Sequence, residues 1–246
     1  MNLCTDQLAM LLASPGQLVS VSDLAADPNT SPMAQEALAH GRNYGGAEEI
    51  YLLNPDLVVA GIYSDPATIS MLRRLGVRVE QLDIVQSLHE VPERLAEMGA
   101  LLGQHARAQA LIGQFETDLA AFDPAQDGPR AAFYYPNGYT LGTGTLSHEI
   151  LTTAGFRHIS DELARSASGR LALELLIVAD PALVIRSNLY PGASRSEDIL
   201  SHPALATLIA AGAGHVSGPD WICGTPHVIR AMHALAQTRI EMEAAQ

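Results

Sequence analysis

The sequence predicts an α/β protein made of two related lobes joined by a long helix, and three observations point there. Strand-like apolar runs alternate with helical segments along the whole chain, the pattern of a mostly parallel sheet covered by helices on both faces. A proline-free stretch, 104–122, carries apolar residues at 108, 112, 115, 119 and 122, the spacing of one helical stripe. The sequence on either side of that stretch repeats itself. The expected boundaries are 1–103 for the first lobe, 104–122 for the connecting helix and 123–246 for the second lobe. At helical rise the connector would span roughly 28 Å, about the width of a small domain.

Taken in order, Leu3 to Ala13 reads as the tail of a strand entering a helix, with Thr5 or Asp6 as its cap. Pro15-Gly16 turns the chain into a short strand at 18–21, and 25–47 reads as a long loop with a small helix at 33–39. Gly45-Gly46-Ala47-Glu48-Glu49 opens a helix whose acids suit the positive end of its dipole. Asn54-Pro55-Asp56 then turns into Leu57-Val58-Val59-Ala60, an apolar run of the buried parallel kind. A helix at 70–75, a strand at 77–79 and a helix at 87–102 ended by Gly103 complete the first lobe.

After Gly128-Pro129 the pattern restarts. Strands are expected at 131–135, 158–160, 183–185 and 215–217, with helices at 146–154, 171–179 and 202–210 between them. Thr225-Pro226 supplies a cap and a first-turn proline for a final helix toward Ala244. The repeat is visible residue by residue: the run from Glu48 to Val59 lies against the run from Glu174 to Ile185 without a gap, with glutamate, proline, leucine and valine in register. A weaker match of Thr5–Met10 to Ser147–Thr152 falls in the same order.

Composition narrows the function classes. A net charge of −13 leaves no basic patch for a nucleic-acid backbone and disfavours an anionic membrane surface. No apolar run approaches the ~20 residues of a spanning helix. No charged and apolar leader precedes Leu3, so an export signal is not expected within these residues. Two cysteines, Cys4 and Cys223, make neither a disulfide framework nor a zinc site. They read as two buried, inert thiols, with a disulfide locking one lobe to the other as the alternative. The nine histidines do not cluster in sequence.

Several segments together carry a resemblance. Asn2-Leu3-Cys4-Thr5-Asp6-Gln7-Leu8, the Glu48-Glu49-Ile50…Asn54-Pro55-Asp56-Leu57-Val58 unit, Leu75-Gly76-Val77 and Asp220-Trp221 resemble the helical-backbone class of ABC-transporter substrate-binding proteins, over nearly the whole chain. That class serves importers of cobalamin, haem and ferric siderophores. The resemblance implies two Rossmann-like lobes, a ligand cleft between them and a periplasmic or otherwise extracytoplasmic location. It also implies a metal chelate as ligand, no resident cofactor, no catalysis, and a permease dimer as partner. The protein would be a monomer that meets the membrane only through that transporter. In exported relatives a leader and a strand precede the Asn-Leu-Cys segment, so a trimmed start is expected.

Open parallel sheets bind ligands beyond the carboxyl ends of their strands. The residues expected there are Trp221, Asp220, Tyr139, Tyr135, Tyr63, Tyr44, Tyr190 and Arg42. Flat rings suit a large planar ligand, and an arginine at 42 suits a carboxylate. Each has a plainer reading: Trp221 as a core cap, the tyrosines as loop closures, Arg42 as an exposed loop charge. Arg42, Gly61 and Ser168 stand near positions where the cobalamin binders carry rings. Glu48 and Glu174 resemble the pair of glutamates, one per lobe, that docks onto transporter arginines; otherwise they are first-turn acids. An enzyme is the alternative, a tetrapyrrole metal chelatase using the adjacent His148 and Glu149 to take pyrrole protons.

Overall fold

The computed structural model describes residues 1–123, 127–163, 168–188 and 194–244. The chain divides into two compact units. The first comprises Met1–Val85, His89–Thr117 and Ile222–His227, and the second Gln86–Leu88, Asp118–Trp221 and Val228–Gln246.

The first unit opens with α1 (Leu3–Leu12) and proceeds through β1 (Ser20–Ser22), α2 (Ala34–Ala37), β2 (Gly41–Asn43) and α3 (Ala47–Leu52). It continues with β3 (Val58–Gly61), α4 (Pro66–Arg74), β4 (Val79–Leu82), α5 (Glu90–Leu102) and most of α6 (His105–Ala120). β1 pairs with β2 and β3 with β4, both in parallel. Asp65 caps α4 ahead of Pro66 at its first turn, and Gly103 closes α5 in the left-handed region at φ 67°. α5 buries Val91, Leu95 and Met98, one helical stripe. Gly99 on that helix lets Ala108 of α6 approach, since a Cβ there would lie 2.5 Å from that of Ala108. A core of Ile50, Val58, Ala60, Ile69, Leu72 and Val79 lies between the β3–β4 pair and its helices.

The second unit holds β5 (Arg130–Phe133), β6 (Tyr139–Thr140), α7 (Leu146–Thr153), β7 (Arg157–His158), α8 (Ile159–Glu162) and β8 (Gly169–Arg170). It goes on with α9 (Leu173–Ala179), β9 (Leu183–Ser187), α10 (Pro203–Ala211), β10 (Ala213–Ser217) and α11 (Val228–Ala244). One parallel sheet runs β10-β9-β5-β7, and β6 pairs with β8 in a small antiparallel ribbon. The continuous apolar runs of β5 and β9, 131–133 and 183–185, are buried on both faces. Ala132, Tyr134, Leu176, Val184 and Leu205 share one core cluster.

The alternation of elements and the α/β class agree with the sequence, and the 104–122 stretch is helical as α6; several local expectations do not hold. Residues from Leu3 onward are helical rather than the tail of a strand, and the cap of α1 is Asn2, whose side chain accepts from the amides of Cys4 and Thr5. Thr5 instead donates to the Asn2 carbonyl, and Asp6 is buried, accepting from the Met1 ammonium at 3.1 Å and the Ser22 amide at 2.7 Å. Residues 41–43, read as loop, form β2. Glycine, arginine and asparagine carry little strand propensity, and pairing with β1 overrides it. The cysteines are not free thiols. Cys4 and Cys223 form a disulfide, and both lie in the first unit, so the bond clips the 222–227 segment onto α1 rather than locking one lobe to the other. The sequence places those two residues 219 apart, which hides their proximity.

Candidate functional site

In the second unit, aromatic and polar side chains converge at the carboxyl ends of β5, β9 and β10. Phe133 stacks on Tyr135 with ring centroids 6.0 Å apart and meets Trp221 edge-on at 5.9 Å. His215 lies 6.1 Å from Trp221. The Tyr135 hydroxyl donates to Ser217 Oγ at 3.5 Å, and that hydroxyl donates onward to the Arg186 carbonyl at 3.3 Å. Burial pushes the Tyr135 phenol up to about 12, against a smaller opposing effect of the Ser217 hydrogen bond, so the ring is neutral at physiological pH. Burial also lowers the pKa of His215.

The chain turns beyond β5 through Asn137 and Gly138, both left-handed at φ 59° and 69°. A Cβ on Gly138 would meet the Leu171 carbonyl at 3.0 Å and the Tyr134 hydroxyl at 3.1 Å, so only glycine fits. The turn presents Tyr139, which is 43% exposed. Trp221 is only 7% exposed and packs as part of the aromatic cluster. Asp220 holds Arg230 through two hydrogen bonds of 2.6 and 3.1 Å to one carboxylate oxygen.

The expected residues of the first unit are more open. Tyr44, after β2, and Tyr63, after β3, are each 77% exposed. Arg42 is on β2 and pairs with Asp23 at 3.3 Å, so its charge already has an acidic neighbour. Glu48 and Glu174 are exposed in the first turns of α3 and α9. Their neighbour Glu49 is used internally, accepting from the amides of Tyr44 and Gly46. Tyr190 lies outside the described residues.

Two of the nine histidines meet in space. His148 Nδ1 and His158 Nδ1 are 3.1 Å apart, and His158 Nε2 is 3.2 Å from Ser160 Oγ. Ser160 donates its own proton to the Leu141 carbonyl. His158 must therefore donate through Nε2 and accept at Nδ1 from His148, a one-way chain across α7 and β7. Burial, aided by the His148 charge, lowers His158 to about 4. Glu149 accepts the Leu88 amide at 2.6 Å, so the adjacent His148 and Glu149 serve separate structural bonds and not one proton-abstracting pair. Among the described residues no group of three or more His, Cys, Asp or Glu side chains is placed to hold a metal ion.

Sequence reading missed Phe133, His215, Ser217 and Arg186 in this assembly. Arg186 carried a signal, since it is the charged residue that closes the apolar run of β9.

The chain belongs to the periplasmic binding protein family, which matches residues 1–218. It is 29% identical over 144 residues to the cobalamin-binding protein of Halobacterium salinarum, covering 56% of this chain and 39% of that one. It is 24% identical over 164 residues to the vitamin B12-binding protein of Salmonella choleraesuis, 64% of this chain and 60% of that one. This chain therefore spans less than two thirds of these relatives. Among solved structures it is similar to a periplasmic haem-binding protein of Pseudomonas aeruginosa, with TM-score 0.77 and 23% identity over 96% of this chain and 90% of that one. It is also similar to the periplasmic haem-binding protein RhuT of Roseiflexus, with TM-score 0.77 and 20% identity over 100% and 97% of the two chains. At those identities the structural likeness speaks to the fold.

Proposed function

We propose that this protein captures a metal chelate outside the cytoplasm and delivers it to an ABC importer, without a resident cofactor or chemistry of its own. The candidate ligands are haem, a corrinoid and a ferric siderophore. The supporting observation is Tyr139, exposed at the strand ends and bridged to Tyr135 of the buried Phe133, Tyr135 and Trp221 cluster, in a chain of this family. An exposed ring over such a cluster suits a planar macrocycle or catechol. The disulfide supports an extracytoplasmic setting, because such bonds persist where the surroundings are oxidising. Exposed Glu48 and Glu174, at equivalent places in the repeat, would meet basic groups on a permease dimer, with the binding protein acting as a monomer.

The test uses the single tryptophan. Trp221 emission and chelate absorbance are followed while the protein is titrated with haem, cobalamin and a ferric hydroxamate or catecholate. Saturable quenching by one chelate at one equivalent is the expected result. No saturable response to any of them would overturn the reading.

A further inference from the structure

Four arginines among the described residues are half-buried: Arg94, Arg130, Arg186 and Arg239. Three are matched to a carboxylate, Arg94 to Glu97, Arg130 to Glu162 and Arg239 to Glu243. Arg186 alone of the four has no hydrogen-bond acceptor and no acidic partner among the described residues; its Nε–H is shut off from solvent unpaired, as are those of Arg94 and Arg239, whose terminal nitrogens do have a carboxylate. Acids are not scarce in this chain, with 27 against 14 lysines and arginines. A guanidinium kept partly desolvated without an acceptor costs stability that the fold does not recover. Such a group is explained by an acceptor that arrives from outside.

The position of Arg186 fits that explanation. It is the penultimate residue of β9, at the carboxyl end of the sheet, in register with the partly exposed Val216 of β10. Its carbonyl accepts from Ser217, which in turn accepts from Tyr135, so the backbone at Arg186 is tied to the aromatic cluster. Arg42, the arginine that the sequence offers for a carboxylate, is already beside Asp23.

We infer that Arg186 is an anion-recognising subsite of the second unit, and that the ligand carries a carboxylate. The planar fork of a guanidinium matches a carboxylate through two parallel N–H donors, which lysine and glutamine cannot reproduce. The inference rests on the chelate-capture reading and sharpens it. A tetrapyrrole with free carboxylate arms or a polycarboxylate iron chelator would satisfy Arg186, whereas a corrin rimmed by amides would not.

Two measurements test it. In the first, the wild type, Arg186→Gln and Arg186→Lys are titrated with haem and with haem dimethyl ester, whose carboxylates are masked. Arg186→Gln should weaken haem binding by about 10- to 100-fold, the loss of one charged, hydrogen-bonded pair, and leave the ester nearly unchanged. Arg186→Lys should fall between. Equal losses for both ligands, or none for haem, overturn the subsite and leave chelate capture standing. In the second, protein with 15N-labelled arginine is titrated with citrate and, at matched ionic strength, with chloride. The Nε–H signal of Arg186, assigned by its absence in Arg186→Gln, should move with citrate alone. If no chelate binds the wild type but citrate still shifts this signal, chelate capture fails and the anion subsite survives. A signal unmoved by citrate, or moved equally by chloride, overturns the subsite whichever chelate binds.

Discussion

In the second unit four parallel strands join in one sheet, β10-β9-β5-β7, whereas the four strands of the first unit pair two and two. The same helix-turn-strand grammar underlies both, from Glu48 to Val59 and from Glu174 to Ile185. In the first unit a groove of about 350 Å3, lined by Met1, Asp6, Ser20, Asn43, Val58 and Val59 among others, lies between β1 and β3. The buried Asp6 carboxylate of α1 holds the Ser22 amide at the end of β1 at 2.7 Å. The disulfide adds a covalent tie, with Cys223 buried beside Leu3, Val21, Ala25 and Ala37. The second unit is held by its ladder and core; the first also has a buried carboxylate bonded to β1 and a cross-link to the 222–227 segment.

The largest expected effect tests that contrast. Replacing both Cys4 and Cys223 with serine should destabilise the first unit by about 4–5 kcal/mol, the loop-closure contribution of so long a loop. Amide exchange should speed up in α1, β1 and the 222–227 segment, with the β5 and β9 amides little changed. Equal loosening of both units would mean that the cross-link is not specific support for the first.

Trp221→Ala should act in the second unit. The ring is buried against Phe133, so its removal should cost roughly 3 kcal/mol, in the range for aromatic-to-alanine cavities. Chemical denaturation measures it, and ligand affinity should fall in the protein that remains folded. A variant as stable as the wild type would show that Trp221 contributes nothing to the core.

Acid should also act on the second unit, through His158. The unfolded chain takes up this proton near 6.5, the folded chain only near 4. Between those values the unfolded state binds more protons, so stability is full above about pH 6.5 and falls as pH drops toward 4. The total is about 3 kcal/mol at most. His158→Gln should flatten that slope in urea melts across the window. An unchanged slope would assign the acid sensitivity to other groups.

The smallest effect on stability is expected for Glu48→Ala combined with Glu174→Ala. Both acids are exposed first-turn residues worth ~0.3–1 kcal/mol each at most. The melting temperature and chelate affinity should stay close to wild type, while stimulation of the importer's ATPase is lost. Full stimulation by the double variant would leave the two glutamates as helix-start acids alone.

The sequence by itself determined the class of the fold, because that information is local and periodic. The apolar runs at 58–60 and 183–185, the helix across 104–122 and the in-register repeat depend only on residue order. Exposure of Glu48 and Glu174 was also legible, since first-turn acids face the solvent beyond a buried Ile50 or Leu176. The tertiary structure decided what depends on meetings between distant residues. Cys4 finds Cys223 across 219 positions, Gly41-Arg42-Asn43 becomes a strand only beside β1, and His148 finds His158 across a turn. It also decided that Arg42 is matched by Asp23 and Arg186 by nothing among the described residues, a difference invisible in sequence because both are arginines near strand ends. Pairing and desolvation are properties of a residue's neighbours in space, and periodicity along the chain cannot supply them.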